Sequence, residues 1–98
     1  MTEIAENLVT VRQRIASAAR AAGRQPETIT LVAVSKTRPA ADVAAARAAG
    51  QADFGENYLQ EALEKIAALP RTGRNWHFIG PVQSNKTRAL AERFDWVQ

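Results

Sequence analysis

The stretch ITLVAVSKTRP, residues 29–39, decides how the rest of this chain is interpreted. Residues 29–34 are mostly apolar and rich in β-branched side chains, which is typical of a strand buried on both faces of a parallel sheet. The apolar run stops at Ser35-Lys36-Thr37, so Lys36 comes where the buried strand ends. Because lysine is rarely fully buried, we expect this ammonium group to have a specific partner or task.

The composition limits the class of protein. A chain of 98 residues fits one small domain with a modest core, residues 1–98. The lack of cysteine excludes disulfides and thiolate metal sites, and a single histidine excludes a histidine-cluster metal site. No stretch approaches the roughly 20 apolar residues of a membrane span, and the acidic, amphipathic MTEIAENL does not resemble a signal peptide. We therefore expect a cytoplasmic protein without a metal or a membrane segment.

The positive charge does not by itself indicate a nucleic-acid partner. The net charge is +3 and the isoelectric point is near 10.0, but the arginines are scattered among acidic residues. No basic run and no basic motif with interleaved aromatic residues occurs. We expect solvated helix faces first, an anionic small ligand second and nucleic acid last.

Helical and strand patterns alternate along the chain. After an opening helix, strands recur about every 20 residues with a helix between each pair, an alternation that implies a parallel sheet with right-handed crossovers. The predicted strands cover residues 29–34, 52–55, 76–79 and 94–97. The predicted helices run from Thr2-Glu3 to residue 22, from Pro39 to Gly50, from an Asn57 cap to a turn at residues 70–73, and from a Ser84 or Asn85 cap to Arg93.

A doubly wound sheet and a barrel both fit this alternation. Neither of the glycine-rich phosphate-loop signatures of doubly wound proteins follows any predicted strand. A (β/α)₈ barrel typically needs about 250 residues, so on that interpretation the chain is somewhat less than half of a barrel.

Polar residues follow three consecutive strands of the predicted sheet, in Ser35-Lys36-Thr37, Gly55-Glu56-Asn57 and the segment from Gly80 to Asn85. In both parallel architectures ligands bind at this end of the strands. A lysine placed there beside an apolar interior would be partly desolvated, which favours the neutral, nucleophilic amine and predicts a Schiff-base lysine. The alternative, an ion pair between Lys36 and Glu56 across neighbouring strands, is favoured by spacing alone.

The remaining polar candidates each have a structural alternative. His77 is more typical of a hydrogen-bonded core histidine than of a reacting group. Asn57, Ser84 and Asn85 suit helix caps as well as ligand contacts, although a helix N-terminus also attracts anions. Nothing local decides whether Glu56 is a surface carboxylate. We expect four aromatic residues in the core: Trp76, Phe78, Phe94 and Trp96.

The motifs LVAVSKT, FGENYLQEALEK and WHFIGPVQSNK, in this order, closely resemble the pyridoxal phosphate homeostasis family, also known as the YggS/PROSC family. The resemblance extends from the opening helix to the final FDWV. It implies an α/β fold, the N-terminal part of a (β/α)₈ TIM barrel like the alanine racemase N-terminal domain (fold type III), with about four parallel strands and the C-terminal half absent.

The same resemblance implies a cofactor site. It predicts pyridoxal 5′-phosphate held as a Schiff base on Lys36, with Asn57, His77, Ser84 and Asn85 around the cofactor. The family has no established catalytic turnover and is thought to buffer the cofactor and deliver it, with apo enzymes as recipients. The family often has a second lysine where this chain has Arg38, and its main phosphate-binding loop lies in the half that is missing here.

Two other functions remain open at this stage. A racemase of the same fold would need a second acid/base on the other face of the cofactor, which in such enzymes comes from a partner domain. A half-barrel without cofactor could instead be an interaction module, because an unclosed parallel sheet exposes strand edges and apolar side chains.

Overall fold

The computed structural model describes residues 3–70 and 73–98. Four parallel strands form one sheet in the order β1-β2-β3-β4, and helices separate them along the chain. The predicted α/β fold with four parallel strands is therefore confirmed. The elements are α1 (Glu3–Ala21), β1 (Ala33–Val34), α2 (Ala40–Ala48), β2 (Asp53–Glu56), α3 (Leu59–Ala68), β3 (Asn75–Phe78), α4 (Thr87–Arg93) and β4 (Trp96–Val97), with 3₁₀ turns at Pro26–Thr28 and Ser84–Lys86.

Two of the predicted boundaries include residues outside the described ranges. The role of Thr2 at the start of α1 and the middle of the turn at residues 70–73 lie outside the described residues. Gly73, at the end of that turn, has a φ of +82°, the left-handed conformation that glycine adopts readily.

Strand β1 is much shorter than the apolar run predicts. Ala33 pairs with Phe54, so this register places Val32 opposite Asp53, the first residue of β2, and residues 29–31 beside backbone that precedes β2. The side-chain amide of Gln51 instead donates a hydrogen bond of 2.6 Å to the Leu31 carbonyl. The same amide donates to the Asp53 carbonyl at 2.8 Å, so the Gln51 side chain takes the place of backbone pairing where the apolar run meets the start of β2.

The core lies between the sheet and the helices. Phe54 and Trp76 contact each other with ring centroids 5.7 Å apart, and Phe78 meets Phe94 edge-on at 5.3 Å. These aromatic side chains pack with helix residues into one buried cluster, and Ile4 and Leu8 of α1 lie against it. The prediction that Trp76, Phe78 and Phe94 belong to the core is confirmed. The cluster also contains Val43, Ala46, Ala62, Ile66 and Leu90.

The other face of the sheet is open. Side chains alternate along a strand, so Val34, Gly55, His77 and Trp96, which are in register, lie on the face away from the helices. In a closed (β/α)₈ barrel this face lines the interior. Here Val34 is 54% exposed and Trp96 60% exposed, so the prediction that Trp96 belongs to the core is wrong. We call this surface the open face.

None of the helices in the described ranges is long and apolar enough to cross a membrane.

Candidate site at the carboxyl ends of the strands

Lys36 stands just beyond β1, where the chain turns sharply. The Ser35 amide still donates to the Gly55 carbonyl at 2.9 Å, so the strand alternation continues and places Lys36 on the open face. Thr37 then adopts a left-handed φ of +62°, and the Arg38 amide donates back to the Ser35 carbonyl at 3.0 Å. The Lys36 side chain is exposed. The partial desolvation expected for this lysine is therefore absent, because the face on which it lies is uncovered.

A buried charge network lies on the opposite side of the same turn. Glu56 is fully buried and Lys65 is 6% exposed, and Lys65 Nζ lies 2.9 Å from Glu56 Oε2 and 2.9 Å from Glu61 Oε1. The Ser35 hydroxyl donates to the Glu56 carboxylate, and Lys65 Nζ also donates to the Ser35 carbonyl. We call these four residues the Lys65 network. The proposed ion pair between Lys36 and Glu56 is wrong, because Lys65 is the partner of Glu56.

The sequence carries a signal for Lys65 that the predictions above do not include. Ala62, Lys65 and Ile66 form the buried face of α3, and their i, i+3 and i+4 spacing places Lys65 beside apolar residues that face the sheet. Glu61 precedes Lys65 by four residues, the spacing of a helical ion pair. A lysine on the apolar face of a helix, near a strand-end glutamate, predicts a buried ion pair.

Glu61 connects the network to the far side of the turn. The Thr37 amide donates a hydrogen bond to Glu61 Oε1, the oxygen that also accepts from Lys65. The hydrogen bond from Lys65 holds the pKa of Glu61 below its usual 4.5, with burial opposing this and the Thr37 amide contributing to it. The network therefore holds the backbone both before and after Lys36.

Asn57 follows β2 and packs against the segment after β3. A Cβ atom on Gly80 would lie 2.8 Å from the Asn57 carbonyl oxygen, so only glycine permits this approach. The Asn57 side-chain oxygen Oδ1 is buried and has no hydrogen-bond partner among the described residues. The prediction that Asn57 caps α3 is wrong. Tyr58 holds the cap position, without a side-chain cap bond.

Ser84 and Asn85 lie in the 3₁₀ turn that precedes α4. Both side chains are exposed, and neither forms a cap bond: Gln83 holds the cap position of the turn and Lys86 that of α4. The prediction of a Ser84 or Asn85 cap is therefore wrong. Asn85 and Asn57 line one groove of about 690 Å³, whose walls include Leu63, Phe78 and Leu90. Lys36 is not among the residues that line it.

His77 is buried in β3 and both of its ring nitrogens are engaged. Nε2 lies 3.0 Å from Asp53 Oδ1, and the Gln98 side-chain amide donates to Nδ1 at 2.9 Å. This network assigns the proton to Nε2. The imidazole also stacks on the Trp96 indole, with centroids 6.0 Å apart and planes 10° apart. His77 is thus a buried, hydrogen-bonded histidine, as the favoured alternative predicts, but it lies on the open face and not in the core cluster.

The fold and the site together define an α/β half-barrel with an exposed lysine at the carboxyl end of its first strand. The chain is similar to curated proteins named pyridoxal phosphate homeostasis protein. The one from Pseudomonas aeruginosa is 64% identical over 97 residues, which are 99% of this chain and 42% of the relative. The one from Escherichia coli K12 is 58% identical over 99 residues, covering 98% and 42%. The predicted resemblance is confirmed, and it concerns the N-terminal part of the relatives.

Solved structures show the same likeness. PipY of Synechococcus elongatus with pyridoxal phosphate bound is 43% identical, with a TM-score of 0.80 over 97% of this chain and 41% of PipY. PipY without the cofactor has a TM-score of 0.83. A protein from Bifidobacterium adolescentis, described only as an unknown protein, is 32% identical, with a TM-score of 0.89 over 98% of this chain and 44% of that protein. The chain thus spans less than half the length of these relatives. No protein-family model matches it.

Proposed function

We propose that this chain is the N-terminal part, residues 1–98, of a cytoplasmic pyridoxal phosphate homeostasis protein that buffers the cofactor and delivers it to apo enzymes. Lys36 is proposed as the residue that binds the cofactor covalently. The observation that carries the proposal is the exposed Lys36 amine on the open face, at the carboxyl end of β1. The names of the relatives and the cofactor in one PipY structure support it.

The residues at this end of the sheet fit the cofactor in part. Bound pyridoxal phosphate supplies an aldehyde, which condenses with a primary amine with loss of water. Lys36 can provide that amine, because it is exposed and no hydrogen bond or ion pair of the described residues engages it. Lys65 cannot, because its amine is buried and fully engaged. Asn57 Oδ1 lacks a partner among the described residues but is buried, so it would have to become accessible before it could accept a hydrogen bond from the cofactor.

The other proposed contacts differ in how well they fit. Ser84 and Asn85 present exposed polar groups at the same end of the sheet, where they can donate to a phosphate. Both nitrogens of His77 are already bonded to Asp53 and Gln98. A cofactor contact of His77 would therefore involve its ring surface or require one of these bonds to break.

We further propose that the protein has no catalytic turnover. The curated relatives are named for homeostasis and not for a reaction. Incubation with pyridoxal phosphate and α-deuterated alanine should leave the deuterium in place, as followed by NMR. Loss of deuterium at an enzyme-like rate would instead support a racemase.

Spectroscopic titration tests the attachment site. Adding pyridoxal phosphate should produce an absorbance band distinct from that of the free cofactor, and Lys36→Ala should abolish it. Lys86→Ala removes another exposed lysine and should leave the band intact. A band that is unchanged in Lys36→Ala would refute the proposal.

A further inference from the structure

We propose that the Lys65 network is a positioning device for Lys36, which fixes the turn so that the amine faces an incoming aldehyde. This inference rests on the proposed function, because it takes covalent attachment as the task of Lys36. Lys65 is then a positioning residue that acts through the backbone, since it lies on the helix side of the sheet and Lys36 on the open face.

The contacts of the network bracket Lys36. On one side Lys65 Nζ donates to the carbonyl of Ser35, and on the other side the amide of Thr37 donates to Glu61. The two anchors meet, because Lys65 Nζ lies 2.9 Å from the same Glu61 oxygen. Ser35 is thus bonded to Lys65 directly and Thr37 is linked to it through Glu61. The Lys36 side chain between them remains exposed.

The charges and the strain of the turn indicate a task beyond stability. A buried ion pair is often no more stabilising than apolar residues of the same volume, yet Glu56 and Lys65 are almost completely buried. Thr37 has the left-handed φ that non-glycine residues rarely adopt, a conformation that persists only where surrounding contacts impose it. The Thr37 amide bond to Glu61 is such a contact.

The three lysines of the chain provide an internal reference for a test. The protein is treated with pyridoxal phosphate, the adducts are reduced with borohydride, and the label on each lysine is measured by peptide mass spectrometry. We expect Lys36 to be labelled in preference to the exposed Lys86, and the buried Lys65 to remain unlabelled. At a cofactor concentration that leaves both lysines far from saturation, the ratio of label on Lys36 to label on Lys86 measures positioning.

The principal variant is Glu56→Gln combined with Lys65→Met, which removes both charges and leaves none unpaired in the core. The ratio should fall roughly tenfold, because a small misplacement of a reacting group costs rate steeply. Thermal melting establishes that the variant is folded. Glu92→Gln is the matched control. It breaks the exposed pair with Arg88 in α4 and should leave the ratio unchanged.

A second variant decides the matter if the double variant does not fold. Glu61→Ala removes the acceptor of the Thr37 amide from a partly exposed helix position and should also lower the ratio. Glu61→Gln keeps an acceptor oxygen and should recover part of it. A native ratio in Glu61→Ala, or in a folded double variant, overturns the positioning role. No preference for Lys36 in the unchanged protein overturns the proposed function, and this inference with it.

Discussion

Thr37 determines where the side chain before it points. Its φ of +62° completes the turn that the Arg38 amide closes on the Ser35 carbonyl, and Lys36 is the first of the two central residues of that turn. A threonine in this conformation is strained, because its Cβ atom crowds the backbone. The contacts around the turn therefore outweigh the conformational preference of Thr37.

Replacing Thr37 by glycine should relieve this strain. The left-handed conformation costs a non-glycine residue about 1–2 kcal/mol. The extra freedom of glycine in the unfolded chain offsets about 0.5–1 kcal/mol of the stability that glycine would gain. We therefore expect Thr37→Gly to raise the free energy of unfolding by roughly 0.5–1 kcal/mol, as measured by urea denaturation. Thr10→Gly, at an exposed position within α1, should lower it. Destabilisation by Thr37→Gly would show that the turn is unstrained.

Glu61 makes the stability of the turn depend on acid. Because the Lys65 hydrogen bond lowers the folded-state pKa of Glu61 below 4.5, the unfolded chain takes up this proton first. The stabilisation is full above the ordinary pKa and is lost as the pH falls through the lower folded-state value. Urea midpoints measured below about pH 4.5 should fall more steeply in the unchanged protein than in Glu61→Gln. Parallel curves would contradict this assignment.

Two glycines, Gly55 and Gly80, permit close contacts at the carboxyl ends of β2 and β3. A Cβ on Gly80 would meet backbone of Asn57 at 2.8 Å, whereas a Cβ on Gly55 would meet the ends of Ile79 and Val32 at 3.1 and 3.2 Å. Backbone cannot move aside as a side-chain end can. The segment after β3 therefore depends on Gly80 for its position beside Asn57.

These two positions form a matched pair of variants. Gly80→Ala should lower the free energy of unfolding by about 1–3 kcal/mol, the usual cost of overpacking, because the loop must move away from Asn57. Gly55→Ala should cost less, since Ile79 and Val32 can adjust. Urea denaturation of both proteins measures the difference, and an equal or reversed order would show that the Gly80 approach is not tight.

Local patterns predicted the type of every helix and strand, but not how they end. The apolar run at residues 29–34 indicated a strand, yet the length of β1 depends on tertiary contacts, such as those of the Gln51 side chain. Asn57, Ser84 and Asn85 suit caps by composition, but none of them holds a helix cap position. Lys36 was identified as a strand-end lysine. The Lys65 network was missed because its members come from β2, α3 and the turn after β1, which only the folded chain brings together.

The open face is an uncovered surface that carries several exposed apolar side chains. Val34 and Trp96 are more than half exposed there, and Ile79 is 36% exposed. Apolar side chains on one face of an unclosed sheet favour association.

We therefore expect the chain to self-associate as its concentration rises. Sedimentation velocity should show a concentration-dependent increase in mass. The double variant Ile79→Glu with Trp96→Glu should reduce this association. Val9→Glu makes the same change at an exposed position of α1 and should not. A monomer at all concentrations would contradict the expectation.

The order of the strands also bears on how the chain is assembled during synthesis. Each strand pairs with the strand that precedes it, as in Phe54 with Trp76 and His77 with Trp96. Each pairing therefore needs only the strand made just before it and no strand from farther along the chain. Since a ribosome releases the N-terminal strand first, every later strand emerges after the strand with which it pairs. The sheet can therefore grow in the direction of translation, and the turn that carries Lys36 can be fixed as soon as α3 has docked.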